Sequence, residues 1–144
     1  MAEPDFDPGA PITSGFDRLL GYEIDYLDEH EIRAHVAVRV DLTQPMGLVH
    51  GGVYASIAES TTSIATALGV MPDGMIATGQ SNQTSFLRPI TGGTIHMTAR
   101  RRHRGRTSWL WEVDFTDDED RLCAIVRMTI AVRPARAGAS DQPG

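Results

Sequence analysis

Alternation between apolar and polar residues marks the β-strands of this chain, because a strand with one buried face repeats every two residues. Ile32 to Val40 has this period, and the preceding segment, Tyr22 to Leu27, is expected to pair with it. Two later alternating stretches, separated by an acidic turn over residues 116–120, predict a long antiparallel hairpin. These two stretches and two further strand candidates are Trp109 to Phe115, Leu122 to Val132, Met75 to Arg88 and Thr94 to His103. About six strands are therefore predicted.

The segment from Gly51 to Leu68 has a different period and is predicted to be a helix. Its apolar positions fall on one stripe at the ~100° per residue of an α-helix, and this stripe is expected to face the sheet. The stripe consists of Val53, Ile57, Ile64 and Leu68, and the opposite side of Ser56, Glu59, Thr62 and Ser63. About six antiparallel strands around one long helix make an α+β fold.

Glu59 is the only Asp, Glu, Lys, Arg or His between Gly51 and Pro72. A solvated helix face normally carries several charges, so this face is also expected to be covered. A covered carboxylate with no basic partner on its own helix is costly, and such groups concentrate at functional sites. The alternative is that Glu59 lies on a solvated face or makes a structural hydrogen bond.

The loop from Gln44 to Gly52 leads directly into this helix. Its glycines allow close approach of the backbone, and the helix N-terminus offers free N–H groups to an oxyanion. Gly51 and Glu59 are eight residues apart in the sequence, which separates them by ~12 Å along one helix. Two antiparallel copies of the helix would bring Gly51 of one chain near Glu59 of the other, so a dimer with two composite sites is favoured. By itself, His50 is more typical of a capping or packing residue than of a catalyst.

The chain has 144 residues, 41% apolar and 22% charged, which fits one compact domain. We expect that domain over residues 12–133, between flexible tails over residues 1–11 and 134–144. No signal-peptide pattern and no apolar run of membrane length occurs, which favours a cytoplasmic protein without a membrane partner. The single cysteine, Cys123, cannot form an internal disulfide, and the five histidines lack metal-ligand spacing, so no metal is expected.

The formal net charge of -6 argues against nucleic acid as a partner, yet five arginines lie between residues 100 and 106. Arginine binds phosphate in a bidentate manner, and Gly105 allows close backbone approach, so this segment is a candidate site for a phosphorylated ligand. The alternative is a solvated hairpin with outward charges. Because side chains alternate along a strand, these arginines cannot all face one ligand.

Several of these residues together resemble the PaaI-like hotdog thioesterases, including the Glu-dependent 4-hydroxybenzoyl-CoA thioesterases. The residues that carry the resemblance are Gln44, His50-Gly51-Gly52, Glu59 and Ser63, with Phe16-x-x-x-Leu20-Gly21 upstream and Ser85-Phe86-Leu87-Arg88-Pro89 downstream. The resemblance extends from about Phe16 to Val132 and implies a hotdog fold, with the sheet wrapped around one central helix. It also implies an acyl-CoA substrate, a homodimer or dimer of dimers, and no cofactor beyond the CoA of the substrate.

The resemblance further implies thioester hydrolysis at a site shared between two subunits. The Gly51 N–H would polarise the thioester carbonyl, Glu59 would act as general base or nucleophile, and Ser63 would orient Glu59 or water. Gln44 and His50 would contact the carbonyl or the leaving thiolate. The residues that would bind the substrate and its CoA are Gly79, Ser85, Phe86, Leu87, Arg88, Arg102, His103, Arg104, Gly105, Arg106 and Thr107. Ser63 is equally compatible with a purely packing role.

The segment from Thr78 to Ser85 is unusually polar for a central strand of a sheet. These side chains would suit a hydroxylated aromatic or otherwise oxygenated acyl group, or a subunit interface. Two other functions remain open at this point. A non-catalytic acyl-CoA-binding protein would keep the fold and the arginines without needing Glu59. A hotdog hydratase or dehydratase would require a His paired with an Asp or Glu, whereas the loop His here precedes two glycines.

Overall fold

A computed structural model describes residues 6–136 as one sheet and one long helix with short additions. The elements in chain order are α1 (Gly15–Leu20), β1 (Glu23–Leu27), β2 (Glu31–Ala37), α2 (Gly51–Val70), β3 (Met75–Phe86), β4 (Thr94–Arg104), β5 (Ser108–Thr116) and β6 (Leu122–Pro134). Two single 3₁₀ turns, Val40–Leu42 and Met71–Asp73, adjoin the loop before α2 and the loop after it. Every predicted strand and the predicted helix are present, with ends shifted by a few residues.

The six strands form one sheet in the order β1-β2-β4-β5-β6-β3, and each neighbouring pair is antiparallel. Helix α2 packs on one face of this sheet, against β3 and β6 and to a smaller extent β2 and β5. The polar residues of the alternating strands lie on the opposite face of the sheet. The predicted fold class, α+β with an antiparallel sheet around one long helix, is confirmed.

The core lies between α2 and the inner face of β5 and β6. Trp109, Trp111 and Phe115 on β5 are at most 1% exposed, as the alternation of that strand predicts. Trp111 Nε1 donates a hydrogen bond of 3.0 Å to Thr66 Oγ1 on α2. Burying a large aromatic side chain removes roughly 150–250 Å² of surface from water, so these rings supply much of the hydrophobic stabilisation.

Two of the predicted orientations on α2 are wrong. Thr62 is fully buried, because its hydroxyl donates to the Ala58 carbonyl at 2.7 Å and so needs no contact with water. Leu68, predicted to face the sheet, is 36% exposed. The other three apolar stripe residues, Val53, Ile57 and Ile64, are buried. The polar face of the helix is therefore narrower than the sequence suggested.

Strand β3 is an edge strand of the sheet, and the expectation that it is central is wrong. It pairs with β6 on one side, and its other edge pairs with no strand among residues 6–136. From Thr78 to Gln83 every residue is exposed, which explains the polar composition of this segment. An exposed edge of 12 residues is a ready template for pairing with a second chain.

The terminal regions differ in how far the structure describes them. Residues 1–5 and 137–144, which belong to the predicted tails, lie outside the described residues. Residues 6–14 contain no helix or strand, and β6 ends at Pro134, the first residue of the predicted C-terminal tail. Among the described residues, no helix is both long and apolar enough to cross a membrane.

Candidate active site

The first turn of α2 presents one backbone N–H that the described chain leaves without an acceptor. His50 is the N-cap, with extended backbone, and its Nδ1 accepts a hydrogen bond of 2.9 Å from the Gly52 N–H. The Val53 N–H donates to the His50 carbonyl at 3.0 Å. Gly51, between them, donates to no group in residues 6–136. Its N–H and the helix dipole together can stabilise an oxyanion.

Gly51 opens onto a cavity of about 400 Å³ that also contains Gln44. The Gln44 side-chain oxygen accepts from the Met46 N–H, and its backbone N–H donates to the Leu48 carbonyl at 2.8 Å, so a tight loop holds Gln44 in place. The ring of Phe86 lies against Gly51, since a Cβ added at this glycine would be 2.6 Å from the ring. The other lining residues are Leu48, Val49, Tyr54, Leu87, Arg88, Pro89 and Cys123.

Glu59 lies two turns further along α2, on the face that does not contact the core. Its side chain is exposed. The carboxylate lies against the backbone of β3, because a Cβ added at Gly79 would be 2.8 Å from Glu59 Oε1. The register of β3 with β6 is irregular between Gly79 and Ser81, next to this contact. Gly79 therefore leaves room for the carboxylate.

Glu59 and Ser63 line a second groove of about 510 Å³. Its other lining residues include Phe16 and Asp17 of α1, Ser56, Ser60, Ile64 and Ala67 of α2, and Ala77 of β3. Small hydroxyl and methyl groups thus line the groove beside Glu59, but residues 6–136 leave this side chain exposed and do not form the cover that the sequence predicts. Among residues 6–136, no Lys, Arg or His lies within ion-pair distance of this carboxylate.

The predicted catalytic residues fall into separate groups within one chain. Gln44 and Gly51 share one cavity, whereas Glu59 and Ser63 share another. His50 faces a third groove of about 520 Å³, between α1 and the start of α2, that contains Arg39 and Ser56. Within a single chain, Gly51 and Glu59 therefore line separate cavities.

The arginines between residues 100 and 106 are mostly engaged in contacts within the chain. Arg104 Nη1 lies 3.0 Å from Glu29 Oε1, and Arg101 Nη1 lies 3.7 Å from the same oxygen. The guanidinium groups of both lie over the Trp109 ring, at 4.7 Å for Arg101 and 4.9 Å for Arg104. Arg102 pairs with Glu112 at 3.4 Å on the outer face of the sheet. Arg106 has no carboxylate partner among the described residues.

Apart from Gly79, which lies beside Glu59 within β3, the predicted substrate- and CoA-binding residues lie at two opposite ends of the sheet. Ser85, Phe86, Leu87 and Arg88 adjoin Cys123 at the start of β6, and the Arg88 N–H donates to the Cys123 carbonyl at 3.1 Å. The residues from Arg102 to Thr107 form the β4–β5 hairpin, where the Gly105 N–H donates to the Ser108 carbonyl at 2.8 Å. Ser108 pairs with Ala131, near the end of β6. The structure does not bring these two sets together within one chain.

Sequence reasoning did not name Tyr54 or Asp17, and it named Phe16 only as part of the Phe16-x-x-x-Leu20-Gly21 motif. Tyr54 is 3% exposed, and its hydroxyl has no hydrogen-bond partner within the described part of the chain. Burial, with a smaller contribution from nearby Cys123, raises the pKa of Tyr54 to about 12. Phe16 and Asp17 line the Glu59 groove. Their helix, α1, ends at Gly21, which has a φ of 76°, and Arg39 Nη1 donates a hydrogen bond of 2.9 Å to the Leu20 carbonyl there. No local motif predicts those contacts.

Comparison with protein families gives one match that covers more than half of the chain. Residues 46–124 match the family model described as the thioesterase superfamily. This range includes the end of the Gln44 to Gly52 loop, all of α2, and the strands from β3 to β5. Glu59 and Gly51 both lie within it.

Three known proteins resemble the chain over most of its length. Protein Rv1847 of Mycobacterium tuberculosis is 40% identical over 126 residues, covering 85% of this chain and 90% of the relative. Its solved structure superposes with a TM-score of 0.80 at 38% identity, covering 85% of this chain and 98% of that one. A 1,4-dihydroxy-2-naphthoyl-CoA hydrolase of Listeria monocytogenes is 31% identical, covering 85% of this chain and 98% of the relative. The crystal structure of a mutant of thioesterase PA1618 from Pseudomonas aeruginosa superposes with a TM-score of 0.78 at 31% identity, covering 82% of this chain and 85% of that one.

Proposed function

The chain belongs to the thioesterase superfamily and has the hotdog fold of these enzymes, and on this premise we propose that it hydrolyses an acyl-CoA thioester to the free acid and CoA. The observation that carries this proposal is the free Gly51 N–H at the start of α2, from which no group in residues 6–136 accepts a hydrogen bond. Glu59 is exposed two turns further along the same helix. One group can polarise a thioester carbonyl, and the other can activate or replace water. Two chains would combine these groups in each site.

The electrophilic half of the mechanism is the first turn of α2. The thioester carbonyl oxygen accepts a hydrogen bond from the Gly51 N–H, which strengthens as the oxygen becomes an oxyanion. Gln44, held in the same cavity, has a side-chain N–H₂ that can reach the carbonyl or the leaving sulfur. His50 contributes less directly, because its Nδ1 is occupied by the Gly52 N–H and only Nε2 is free for the substrate.

Glu59 supplies the other half by one of two routes. As general base it takes a proton from water, whose oxygen adds to the thioester carbon, and the C–S bond then breaks to release the CoA thiolate. As nucleophile its carboxylate adds to that carbon, expels the thiolate and forms an anhydride, which water then cleaves. Ser63 is one turn along the same face of α2 and is placed to orient the carboxylate or the water.

Helix length supports the proposal that these halves come from different chains. Eight residues of α-helix separate Gly51 from Glu59 by ~12 Å, too far for both to act on one carbonyl. Three features support a second copy of the chain as the partner. These are the open edge of β3, the small side chains beside Glu59, and the two cavities that each hold half of the machinery.

Antiparallel pairing of two β3 edges would also reunite the predicted CoA-binding residues. In such a pair the Phe86 end of one strand lies beside the Met75 end of the other. Arg88 of one chain would then approach the β4–β5 hairpin of its partner. In this arrangement Arg88 of one chain and the hairpin arginines of the other chain would both be near the negatively charged phosphates of CoA.

Arg106 is the arginine of the β4–β5 hairpin to test for binding of CoA phosphates, because it has no carboxylate partner in residues 6–136. Arg106→Ala is expected to raise KM roughly tenfold for an acyl-CoA but not for the corresponding acyl-pantetheine, which lacks the nucleotide. Arg104→Ala is the matched comparison and is expected to have a smaller effect on KM, because its guanidinium is already paired with Glu29 and stacked on Trp109. Steady-state kinetics of both variants on both substrates measures this. Equal changes in KM on the two substrates would contradict phosphate binding at the hairpin.

A screen of acyl-CoA hydrolysis tests the proposed function itself. Aromatic, short-chain and long-chain acyl-CoAs are each incubated with the purified protein, and the released thiol is measured. A relative acts on 1,4-dihydroxy-2-naphthoyl-CoA by its name, which favours aromatic esters as the best substrates here. Hydrolysis of none of these esters, with the acyl-CoAs still bound, would instead support a binding protein. We place the activity in the cytoplasm, where acyl-CoA and reduced thiols are found.

A further inference from the structure

The cavity at the start of α2 contains a second hydrogen-bond donor that the proposed mechanism does not use. Tyr54 lines this cavity of about 400 Å³ together with Gly51 and Gln44. Its side chain is 3% exposed, and its hydroxyl has no hydrogen-bond partner among residues 6–136. Burying a hydroxyl without a partner is costly, and nearly all buried hydroxyls are paired. The Tyr54 hydroxyl therefore calls for an acceptor from outside the described chain.

The buried threonine hydroxyls of α2 are all paired within the helix. Thr61 and Thr62 donate to carbonyls one turn earlier at 2.7 Å, and Thr66 does so at 2.8 Å. A tyrosine ring holds its hydroxyl too far from the backbone of its own helix to use such a carbonyl. The acceptor for Tyr54 must therefore be a group that enters the cavity.

The position of Tyr54 on α2 directs its side chain toward the turn that carries the Gly51 N–H. Tyr54 is three residues, or ~4.5 Å, further along the helix than Gly51, and residues at this spacing are neighbours on its surface. Side chains of an α-helix lean toward its N-terminus and cover the preceding turn. The Tyr54 ring packs edge to face on Phe115, with centroids 5.2 Å apart and an interplanar angle of 69°, which holds the ring in place.

Phe86 contacts the residues of both donors. Its ring centroid is 6.3 Å from that of Tyr54, and a Cβ added at Gly51 would be 2.6 Å from the Phe86 ring. Tyr54 and Phe115 are 3% and 0% exposed, whereas Phe86 is 61% exposed. An exposed ring can change rotamer without opening the core, so a carbonyl group that displaces Phe86 would meet both donors.

We propose that the Tyr54 hydroxyl donates a second hydrogen bond to the thioester oxyanion, beside the Gly51 N–H of the same chain. The inference rests on the proposed function for the thioester. Burial, with a smaller contribution from Cys123, raises the pKa of Tyr54 to about 12, so the hydroxyl is protonated at neutral pH. It keeps this proton throughout. Its hydrogen bond strengthens as the carbonyl oxygen gains negative charge and weakens again when the C–S bond breaks and the carbonyl reforms.

Tyr54→Phe removes the hydroxyl and keeps the ring. The kcat for hydrolysis of benzoyl-CoA is expected to fall roughly 10- to 100-fold, the value of a hydrogen bond to a charged group, with little change in KM. The midpoint of thermal unfolding is expected to stay equal or to rise, because the variant no longer buries an unpaired hydroxyl. A purely structural hydroxyl would give the opposite pattern, a lower midpoint with kcat near the unmodified value, and that result would overturn the proposal.

Tyr26→Phe is the matched control. Tyr26 is an exposed tyrosine on β1, outside the Gly51 cavity, and its hydroxyl donates to Asp28. Its replacement removes the same group from a tyrosine and is expected to leave kcat unchanged. Circular dichroism of both variants checks that the fold persists.

Infrared difference spectroscopy measures the hydrogen bond without turnover. Benzoyl-CoA with an isotopically labelled carbonyl is bound to the Glu59→Gln chain and to the same chain carrying Tyr54→Phe. Loss of the donor is expected to raise the stretching frequency of the bound carbonyl, because a hydrogen bond weakens the C=O bond. Replacing Tyr54 by 3-fluorotyrosine, which keeps the shape of the ring and has a more acidic hydroxyl, is expected to lower that frequency.

This measurement separates failure of the inference from failure of the proposed function. A carbonyl frequency that depends on Tyr54, in a protein that hydrolyses no ester, would support the Tyr54 hydrogen bond and contradict only the proposed function. The same carbonyl frequency with and without the Tyr54 hydroxyl would overturn the inference, even if benzoyl-CoA is hydrolysed. Failure of benzoyl-CoA to bind the unmodified chain would also overturn it.

Discussion

Glu59→Gln is expected to lower kcat for acyl-CoA hydrolysis by roughly 10²- to 10⁴-fold while acyl-CoA binding persists. Glutamine has the shape of glutamate but can neither accept a proton from water at neutral pH nor form an anhydride. The substitution should leave the fold intact, because the Glu59 side chain is exposed and no basic residue of the described chain pairs with it. Steady-state kinetics and equilibrium binding of an acyl-CoA measure the two effects separately.

A matched control for this loss is Glu23→Gln. Glu23 is an exposed glutamate on β1, outside the Glu59 groove, and its replacement removes the same charge. It is expected to retain the turnover of the unmodified chain. Hydrolysis near the unmodified rate by Glu59→Gln would exclude Glu59 as base or nucleophile.

The second large effect is expected at the Gly51 N–H. Gly51→Pro removes this donor without disturbing the helix, because proline is well tolerated at the first helical position, where no intrahelical bond uses the N–H. The extended backbone of His50, at φ -64° and ψ 133°, also suits the residue before a proline. Loss of one oxyanion donor typically lowers kcat by about 10²- to 10³-fold.

Gly51→Ala is the control that isolates the N–H. Any Cβ at this position approaches the Phe86 ring to 2.6 Å, so both variants displace that exposed ring. Alanine keeps the N–H and proline does not. The kcat of Gly51→Pro should therefore fall well below that of Gly51→Ala, and equal kcat values would mean that the N–H does not stabilise the oxyanion.

The sequence predicted the elements of this fold because its strands bury one face and its helix has a clear apolar stripe. Trp109, Trp111 and Phe115 followed the period of two and lie in the core. Thr62 is polar but buried, because a threonine hydroxyl can donate a hydrogen bond to a carbonyl of the preceding helical turn. The order of the strands depends on contacts distant in sequence, so the edge position of β3 could not be inferred from its composition alone.

The candidate site was predictable only where its residues lie close together in the sequence. The spacing from Gly51 to Glu59 gave the helix geometry on which the proposal of a site shared by two chains rests. The pairing of Arg104 with Glu29 joins residues 75 positions apart, and no spacing rule detects it. Asp17 reaches the Glu59 groove through the packing of α1 on α2, which likewise has no local signature.

The shared site is the central claim, and mixing two inactive variants tests it most directly. Glu59→Gln and Gly51→Pro chains are dissociated mildly, combined in equal amounts and reassociated, and heterodimers are verified by native mass spectrometry. Each heterodimer would contain one site with both halves intact, so random pairing should restore about a quarter of the unmodified activity. Activity no higher than that of the separate variants, with heterodimers present, would contradict a site built from two chains.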